Sequence, residues 1–171
     1  MKPDAIYSVV FPIREDDRGK IVAVNLSTKT RKIFAGMILG SGGRQDLADT
    51  SIHDCGCREF REELTRRYET YELEEVGVIV SHEPNGVSQI HYFLARGGEG
   101  PIRATKDKGM VKPTWYPPAD IPYEKMPVHF PMLLDKFLKG LRVKGTIKID
   151  PKRNILFDAK IRTSKRIQAP A

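Results

Sequence analysis

Glu59, Glu62 and Glu63 lie within five residues of one another. In a helix, residues three and four apart share one side, so this spacing predicts that the three carboxylates form a single acidic stripe. Adjacent anions repel one another. A hard divalent cation such as Mg²⁺, which binds carboxylate oxygens and keeps several waters, would relieve that repulsion. The spacing alone supports two interpretations equally: a divalent-metal site, or a solvated acidic face paired with neighbouring arginines.

A glycine-rich segment precedes the acidic stripe, and together they resemble the Nudix box, G-x5-E-x7-R-E-U-x-E-E-x-G-U, in which U is bulky and apolar. Gly43 occupies the first glycine position, and the helical part is matched by Arg58, Glu59, Phe60, Glu62 and Glu63. The segment departs from the pattern in three ways. The loop before Arg58 is one residue longer, Thr65 replaces the later glycine, and the loop glutamate is replaced by Thr50 or Asp49, depending on where the insertion falls.

The resemblance implies a metal-dependent hydrolase of a nucleoside diphosphate linked to another group. By similarity, Glu59, Glu62, Glu63 and the Gly43 carbonyl would bind Mg²⁺ or Mn²⁺ as the cofactor. Arg58 would complete the catalytic group together with Glu62 and Glu63. The spacing leaves open which of these two glutamates takes the proton of the attacking water.

Three other segments resemble parts of the MutT-like enzymes, which hydrolyse oxidised purine nucleoside triphosphates. Residues 6–10 resemble their first strand, residues 112–116 the strand after the box, and residues 130–134 the start of their C-terminal helix. The implied reaction releases a monophosphate and pyrophosphate, with Ser8, Leu39 and Trp115 at substrate-binding positions. Leu39, however, stands where those enzymes have an asparagine that reads the purine, and the stretch 126–129 lacks their pair of aspartates. Loss of such polar groups predicts a relaxed or different base specificity.

Two other functions remain open at this stage. One is a catalytically weak Nudix-like module that binds a nucleotide, or contacts RNA or another polyanion through a basic C-terminal hairpin. The other is hydrolysis of a different nucleoside diphosphate derivative, such as ADP-ribose, a dinucleoside polyphosphate or a capped RNA end. The leaving group cannot be read from the motif.

Alternating and apolar runs predict strands before and after the acidic segment. The predicted strands are 5–13, 20–26, 34–39, 74–82, 87–95, 112–116, 145–149 and 155–161. Three pairs of consecutive strands are expected to form hairpins. These pairs are 5–13 with 20–26, 74–82 with 87–95, and 145–149 with 155–161. Helices are predicted over 52–67, where Ser51 can cap the first turn, and over 130–138. Three glycines within 40–43 predict a backbone that turns sharply or approaches a ligand.

By the resemblance, these elements form an α/β (α+β) fold, the Nudix α/β/α sandwich. A central mixed β-sheet would carry the 52–67 helix on one side and the 130–138 helix on the other. The length of 171 residues predicts one domain over 1–171. Its C-terminal end would be a basic β-hairpin at about 141–163.

Charge is concentrated at the C-terminal end. The formal net charge is +7, and the segment 139–166 holds ten Lys or Arg residues against two Asp residues. A solvated hairpin face is the favoured interpretation of this segment over a nucleic-acid contact.

The two cysteines, Cys55 and Cys57, are predicted to form neither a disulfide nor a structural zinc site, because they diverge on a helix and lack further ligands. Apolar runs are too short for a transmembrane helix, and the first residues show no secretory signal. These features predict a cytoplasmic protein without membrane contact. The nucleotide substrate is what the resemblance implies.

Overall fold

The structure is a computed structural model that describes residues 2–65, 67–98, 101–104 and 108–166. Within these residues the chain forms nine strands and two α-helices. The strands are β1 (Ala5–Glu15), β2 (Ile21–Lys29), β3 (Ile38–Leu39), β4 (Ser41–Arg44), β5 (Glu72–Glu83), β6 (Gly86–Arg96), β7 (Met110–Tyr116), β8 (Leu141–Asp150) and β9 (Ile155–Lys165). The helices are α1 (Ile52–Glu63) and α2 (Phe130–Leu138).

The strands form a mixed sheet in the order β3-β2-β1-β6-β5-β8-β9, with β4 also paired to β1 and β7 to β2. The β1–β6 and β5–β8 pairs are parallel. The three predicted hairpins are confirmed by the antiparallel pairs β1–β2, β5–β6 and β8–β9. The predicted central mixed sheet is therefore confirmed.

The two helices cover opposite faces of the sheet. Val10 of β1 packs in one apolar cluster with Phe60 of α1. The next residue, Phe11, packs in a second cluster with Phe137 of α2. Since successive side chains of a strand point to opposite faces, α1 and α2 lie on opposite sides. The predicted α/β/α sandwich is confirmed.

Helix α1 begins where the sequence predicts and ends earlier. The Ser51 hydroxyl accepts a hydrogen bond from the Asp54 N–H at 3.0 Å, which satisfies a free donor of the first turn. The predicted end at Arg67 is wrong, because the helix stops at Glu63. The N–H groups of Leu64 and Thr65 both turn back to the Phe60 carbonyl. All three glutamates nevertheless remain within the helix.

The predicted strand 34–39 is wrong over most of its length, since only Ile38–Leu39 forms a strand. Lys32 and Phe34 have φ angles of 62° and 69°. Positive φ values are incompatible with an extended strand and uncommon for residues other than glycine. The segment instead forms turns, in which Met37 N–H donates to the Phe34 carbonyl at 2.9 Å.

The glycine-rich segment forms strand β4 rather than a sharp turn. Residues 41–44 pair antiparallel with Tyr7–Val10 of β1. A Cβ atom at Gly42 would overlap the Ser8 carbonyl oxygen. Glycine is therefore needed here for the close approach of two backbones. Of the two predicted alternatives, the sharp turn is wrong, and the approach of this backbone to a ligand stays a prediction.

The sheet divides beside β1. Residues 7–10 of β1 pair with β4, whereas residues 13–15 pair with β2. Strand β2 thus leaves β1 at the point where β4 takes its place, and a cleft opens between the two. Neither helix of the described chain is long and apolar enough to cross a membrane.

Candidate active site

The cleft has a volume of about 650 Å³, which falls within the roughly 300–1,000 Å³ range of small-molecule sites. Its lining is chemically divided. Three acidic side chains come from α1 and one from the end of β5. The cationic ones come from the end of β2 and the turn after it, from β4 and from the segment before β7. Apolar or aromatic ones come from β6, α2 and the turn after β2. The acidic and cationic lining residues are Glu59, Glu62, Glu63, Glu83, Lys29, Arg31, Lys32, Arg44 and Lys108.

Glu63 is the most deeply buried of the three glutamates, at 7% exposure. One oxygen, Oε2, accepts a hydrogen bond from the Gly42 N–H at 2.9 Å, which ties the end of α1 to β4. Burial raises the pKa of Glu63 to about 7, although this hydrogen bond and the nearby Lys29 act in the opposite direction. This carboxyl can therefore gain or lose a proton near neutral pH.

Glu59 and Glu62 both face the guanidinium of Arg58. Arg58 Nη1 donates to Oε1 of Glu59 at 2.8 Å and lies 3.8 Å from Oε2 of Glu62. Burial raises the pKa of Glu59 despite the opposing effect of Arg58. Arg58 therefore compensates the negative charge only in part.

Asp49 holds Arg58 in this position. Arg58 Nε and Nη2 donate to the two Asp49 oxygens, each at 2.9 Å, and the Asp49 side chain is only 4% exposed. These bonds lower the pKa of Asp49 to about 2. Of the two predicted replacements for the loop glutamate, Asp49 is thus the one that binds the arginine. Thr50 instead donates its hydroxyl hydrogen bond to Asp54 in the first turn of α1.

Gly43 lies directly against the acidic stripe. A Cβ atom at this position would overlap the carboxylate of Glu59. The Gly43 carbonyl oxygen lies 3.7 Å from the Sγ atom of Cys55 on α1. Any larger residue would displace Glu59, so the glycine keeps this carboxylate close to the backbone of β4.

The donor set suits a hard divalent cation. In the part of the chain that the structure describes, no three His, Cys, Asp or Glu side chains are grouped closely enough to hold a metal ion as they stand. Each glutamate nevertheless keeps at least one oxygen without a hydrogen-bond partner among these residues. Anionic oxygens that are partly buried and only partly compensated are the ligands that Mg²⁺ and Mn²⁺ prefer.

The structure brings most of the predicted site residues to the cleft. Ser8 and Leu39 line it together with Gly43 and the three glutamates. Ser8 is buried, and its hydroxyl lies 3.3 Å from Cys55 Sγ. Trp115 lies elsewhere, on β7, where the Arg14 guanidinium lies 4.0 Å from its ring centroid. Both cysteines are free thiols, as predicted.

Sequence reasoning missed Lys29, Phe34 and His129. Lys29 ends β2 and lines the cleft, where burial lowers the pKa of its amine and the nearby Glu63 opposes that effect. No local pattern distinguishes it from the other lysines of the chain. Phe34 and His129 approach each other only because a turn and the start of α2 meet across the cleft.

Solved structures of Nudix and MutT proteins share this fold. A mutator MutT protein from Bacillus halodurans has a TM-score of 0.69 at 20% identity, and the match covers 92% of this chain and 97% of that one. The Nudix domain of Shewanella oneidensis NrtR, solved with ADP-ribose, has a TM-score of 0.57 at 17% identity, over 81% and 90%. An Ap4A hydrolase from C. elegans has a TM-score of 0.55 at 12% identity, over 79% and 93%.

No protein-family model matches the chain, and no curated protein matches its sequence. The likeness is therefore one of fold, and on that basis the chain has the Nudix fold.

Proposed function

We propose that the protein is a divalent-cation-dependent nucleotide pyrophosphohydrolase of the Nudix type. Its preferred reaction would be cleavage of a nucleoside triphosphate to a monophosphate and pyrophosphate. One observation carries the proposal: three partly compensated glutamates of α1 face a cleft beside the glycines of β4.

Glu59, Glu62, Glu63 and the Gly43 carbonyl would hold Mg²⁺ or Mn²⁺. When bound, the cation neutralises phosphate charge and lowers the pKa of a bound water. Arg58, held by Asp49, keeps Glu59 in place.

Glu62 and Glu63 are both candidates for the group that takes the proton of the attacking water. Glu62 is the more exposed, with a side chain that is 34% accessible. Glu63 has a pKa near neutrality, which suits a general base. Separate pH–rate profiles of Glu62→Gln and Glu63→Gln would distinguish them, because replacement of the base removes the acidic limb of the profile.

The cationic lining would bind the phosphate chain. Lys29, Lys32, Arg44 and Lys108 all line the same cleft as the glutamates. Ser8 and Leu39 would contact the remainder of the nucleotide. The same arrangement fits any nucleoside diphosphate derivative, so hydrolysis of ADP-ribose or of a dinucleoside polyphosphate is the alternative within this class.

A release assay tests the proposal. Phosphate and pyrophosphate would be measured with a panel of nucleoside triphosphates, ADP-ribose and diadenosine tetraphosphate, in Mg²⁺, Mn²⁺ or EDTA. We expect metal-dependent turnover that Glu63→Gln lowers at least about 100-fold. Glu69→Gln is the matched control, because Glu69 is exposed and does not line the cleft. Turnover that persists in EDTA or in Glu63→Gln would contradict the proposal.

A second, non-enzymatic function is favoured by the outer face of the β8–β9 hairpin. Lys144 lies directly opposite Arg162 in the register, a like-charge pair that destabilises a sheet. Within the described residues, no acidic side chain lies within ion-pair distance of either one. Arg142, Lys148 and Lys160 are exposed on the same two strands. We therefore propose that this face binds a polyanion such as single-stranded RNA.

Fluorescence anisotropy with a labelled oligouridylate at several salt concentrations tests this second function. Lys144→Glu should weaken binding and reduce its salt dependence. Lys125→Glu, which changes an exposed lysine outside the hairpin, should do neither. Equal effects of the two variants would contradict a defined polyanion surface.

A further inference from the structure

Cys55 is a buried residue with polar surroundings. It lies on α1 and is 0% exposed, yet it belongs to neither of the two apolar clusters that the described residues form. Buried free cysteines usually act as small apolar residues. Cys57, on the same helix, does pack against the apolar cluster that contains Val10 and Phe60. Apolar packing of this kind therefore does not account for Cys55.

The Cys55 sulfur contacts polar groups from three parts of the site. Sγ lies 3.3 Å from the Ser8 hydroxyl of β1, 3.7 Å from the Gly43 carbonyl oxygen of β4 and 3.9 Å from Nη2 of Arg58. Ser8 and Gly43 are directly opposite each other in the β1–β4 register. The sulfur therefore lies beside one cross-strand pair and links it to the helix that carries the three glutamates.

The directions of these hydrogen bonds follow from what each group can do. A carbonyl oxygen only accepts, and a guanidinium only donates. Burial raises the pKa of the Cys55 thiol, so the sulfur keeps its single proton at neutral pH. The thiol donates this proton to the Gly43 carbonyl, while the sulfur accepts from Arg58 and from the Ser8 hydroxyl. All three contacts are then satisfied at once.

Asp49 is a second acceptor near the thiol. Its two oxygens, however, already accept hydrogen bonds from Arg58. Among the groups that lower the pKa of Asp49, Arg58 has the largest effect and Cys55 the smallest. The Gly43 carbonyl is therefore the main acceptor of the thiol proton.

The Gly43 carbonyl depends on such a partner for its direction. A glycine backbone has more conformational freedom than that of any other residue. Groups that hydrogen-bond to metal ligands fix the orientation of those ligands, and their removal typically weakens metal binding about 10–100-fold. A carbonyl oxygen has two lone pairs, so the bond from the thiol leaves one lone pair free for a cation.

We propose that Cys55 is a positioning residue, whose thiol holds the Gly43 carbonyl in the direction that a divalent cation between β4 and α1 requires. This inference deepens the proposed function and rests on it, because the direction of the carbonyl matters only if it binds the cation. Cys55 is not among the described residues that line the cleft. It therefore acts through Gly43 and binds neither the cation nor the nucleotide.

Serine and alanine at position 55 separate hydrogen bonding from packing. Cys55→Ser keeps a donor and an acceptor at this position, whereas Cys55→Ala removes both. If Cys55 were only an apolar filler, alanine would be tolerated better than serine, because a buried hydroxyl is more costly than a methyl group. A positioning role predicts the reverse order. Cys57→Ala is the matched control, since it makes the same substitution on the same helix outside the cleft.

Calorimetric titration with Mn²⁺ in the absence of nucleotide measures the effect, beside urea unfolding of each variant. We expect Cys55→Ala to weaken Mn²⁺ binding about 10-fold or more, Cys55→Ser to stay within about 3-fold of the wild type, and Cys57→Ala to match it. Turnover by Cys55→Ala should recover as the Mn²⁺ concentration is raised, because the substitution lowers metal affinity. Wild-type affinity in Cys55→Ala, or weaker binding in Cys55→Ser than in Cys55→Ala, would overturn the inference and leave the proposed function standing. A wild type that does not bind Mn²⁺ would refute the proposed function, and the inference with it.

A second measurement leaves position 55 unchanged and does not depend on whether its variants fold. In Cys57→Ala, Cys55 is the only cysteine of the chain, so its S–H stretching band can be assigned in the infrared spectrum. A hydrogen bond to the carbonyl lowers the frequency of this band. A cation on the same carbonyl draws electron density from the oxygen and weakens that bond. The band should therefore lie below the frequency of a free thiol and rise when Mg²⁺ is added; a free-thiol frequency without metal, or an unchanged band when Mg²⁺ binds, would overturn the inference.

Discussion

Replacement of Glu63 by glutamine isolates the cost of burying a negative charge beside β4. The wild-type carboxylate accepts the Gly42 N–H at 2.9 Å in a site that is 7% exposed. The glutamine amide oxygen can accept the same hydrogen bond without carrying a charge. The variant therefore keeps the contact with β4 and removes the buried anion.

The size and sign of the effect follow from the pKa. Burial raises the pKa of Glu63 from its ordinary value of 4.5 to about 7. Between these values the folded state binds more protons than the unfolded state, so the free energy of unfolding decreases as pH rises. At about 1.4 kcal/mol per pH unit, the decrease in the metal-free protein totals about 3 kcal/mol. The stabilising contribution is complete below pH 4.5 and is lost as pH rises through 7.

Urea unfolding of wild type and Glu63→Gln in EDTA, at pH values from 5 to 8, measures this difference. The variant should become more stable relative to wild type as pH rises, by about 2–3 kcal/mol over the range. Saturating Mg²⁺ should stabilise the wild type at pH 8 and have little effect on the variant. Identical pH dependence in the two proteins would refute the assignment of a strained, buried carboxylate at this position.

Two further changes probe the surroundings of the glutamates. Asp49→Asn removes the anion that holds Arg58 and should lower the free energy of unfolding by roughly 1.5–3 kcal/mol in urea, and it should also lower kcat. Because the Asp49 pKa is about 2, this contribution is present above pH 4 and is lost only as pH falls through about 2. Full activity of Asp49→Asn would contradict this role, and Asp49→Glu should restore activity at least in part. Gly43→Ala should displace Glu59 and weaken Mn²⁺ binding measured by calorimetry. Gly56→Ala is the control, because its added Cβ would lie 3.4 Å from Leu73, an ordinary contact distance. This variant should keep Mn²⁺ binding and raise the stability of the helix by about 0.5–1 kcal/mol. Equal losses of Mn²⁺ binding in both variants would show that the effect at Gly43 is not local.

The acidic stripe could be predicted from the sequence because its geometry is local. Residues three and four apart share one side of any helix, and Ser51 provides a cap that places the helix start. The predicted fold depended on the resemblance rather than on periodicity alone. The end of the helix was misplaced because the hydrogen bonds that stop it, from Leu64 and Thr65 to Phe60, leave no pattern in the sequence.

The partner of Arg58 could not be chosen from the sequence, because a one-residue insertion leaves Thr50 and Asp49 equally well aligned. The three-dimensional path of the loop decides between them. The glycines before Arg44 are equally ambiguous, since glycine permits both a turn and a close approach of strands. The meeting of Phe34 with His129 joins segments almost a hundred residues apart, and local patterns do not report such contacts.

Diffraction from crystals soaked with Mn²⁺ and an α,β-methylene nucleoside triphosphate tests the central claim most directly. The anomalous signal of manganese should lie among Glu59, Glu62, Glu63 and the Gly43 carbonyl, within bonding distance of these ligands, and phosphate oxygens of the analogue should bind the manganese as well. Arg58 should still be bound to Asp49. Manganese found only outside the cleft, with Glu59 still bonded to Arg58 and Glu63 still bonded to Gly42, would contradict the proposed metal-dependent hydrolase.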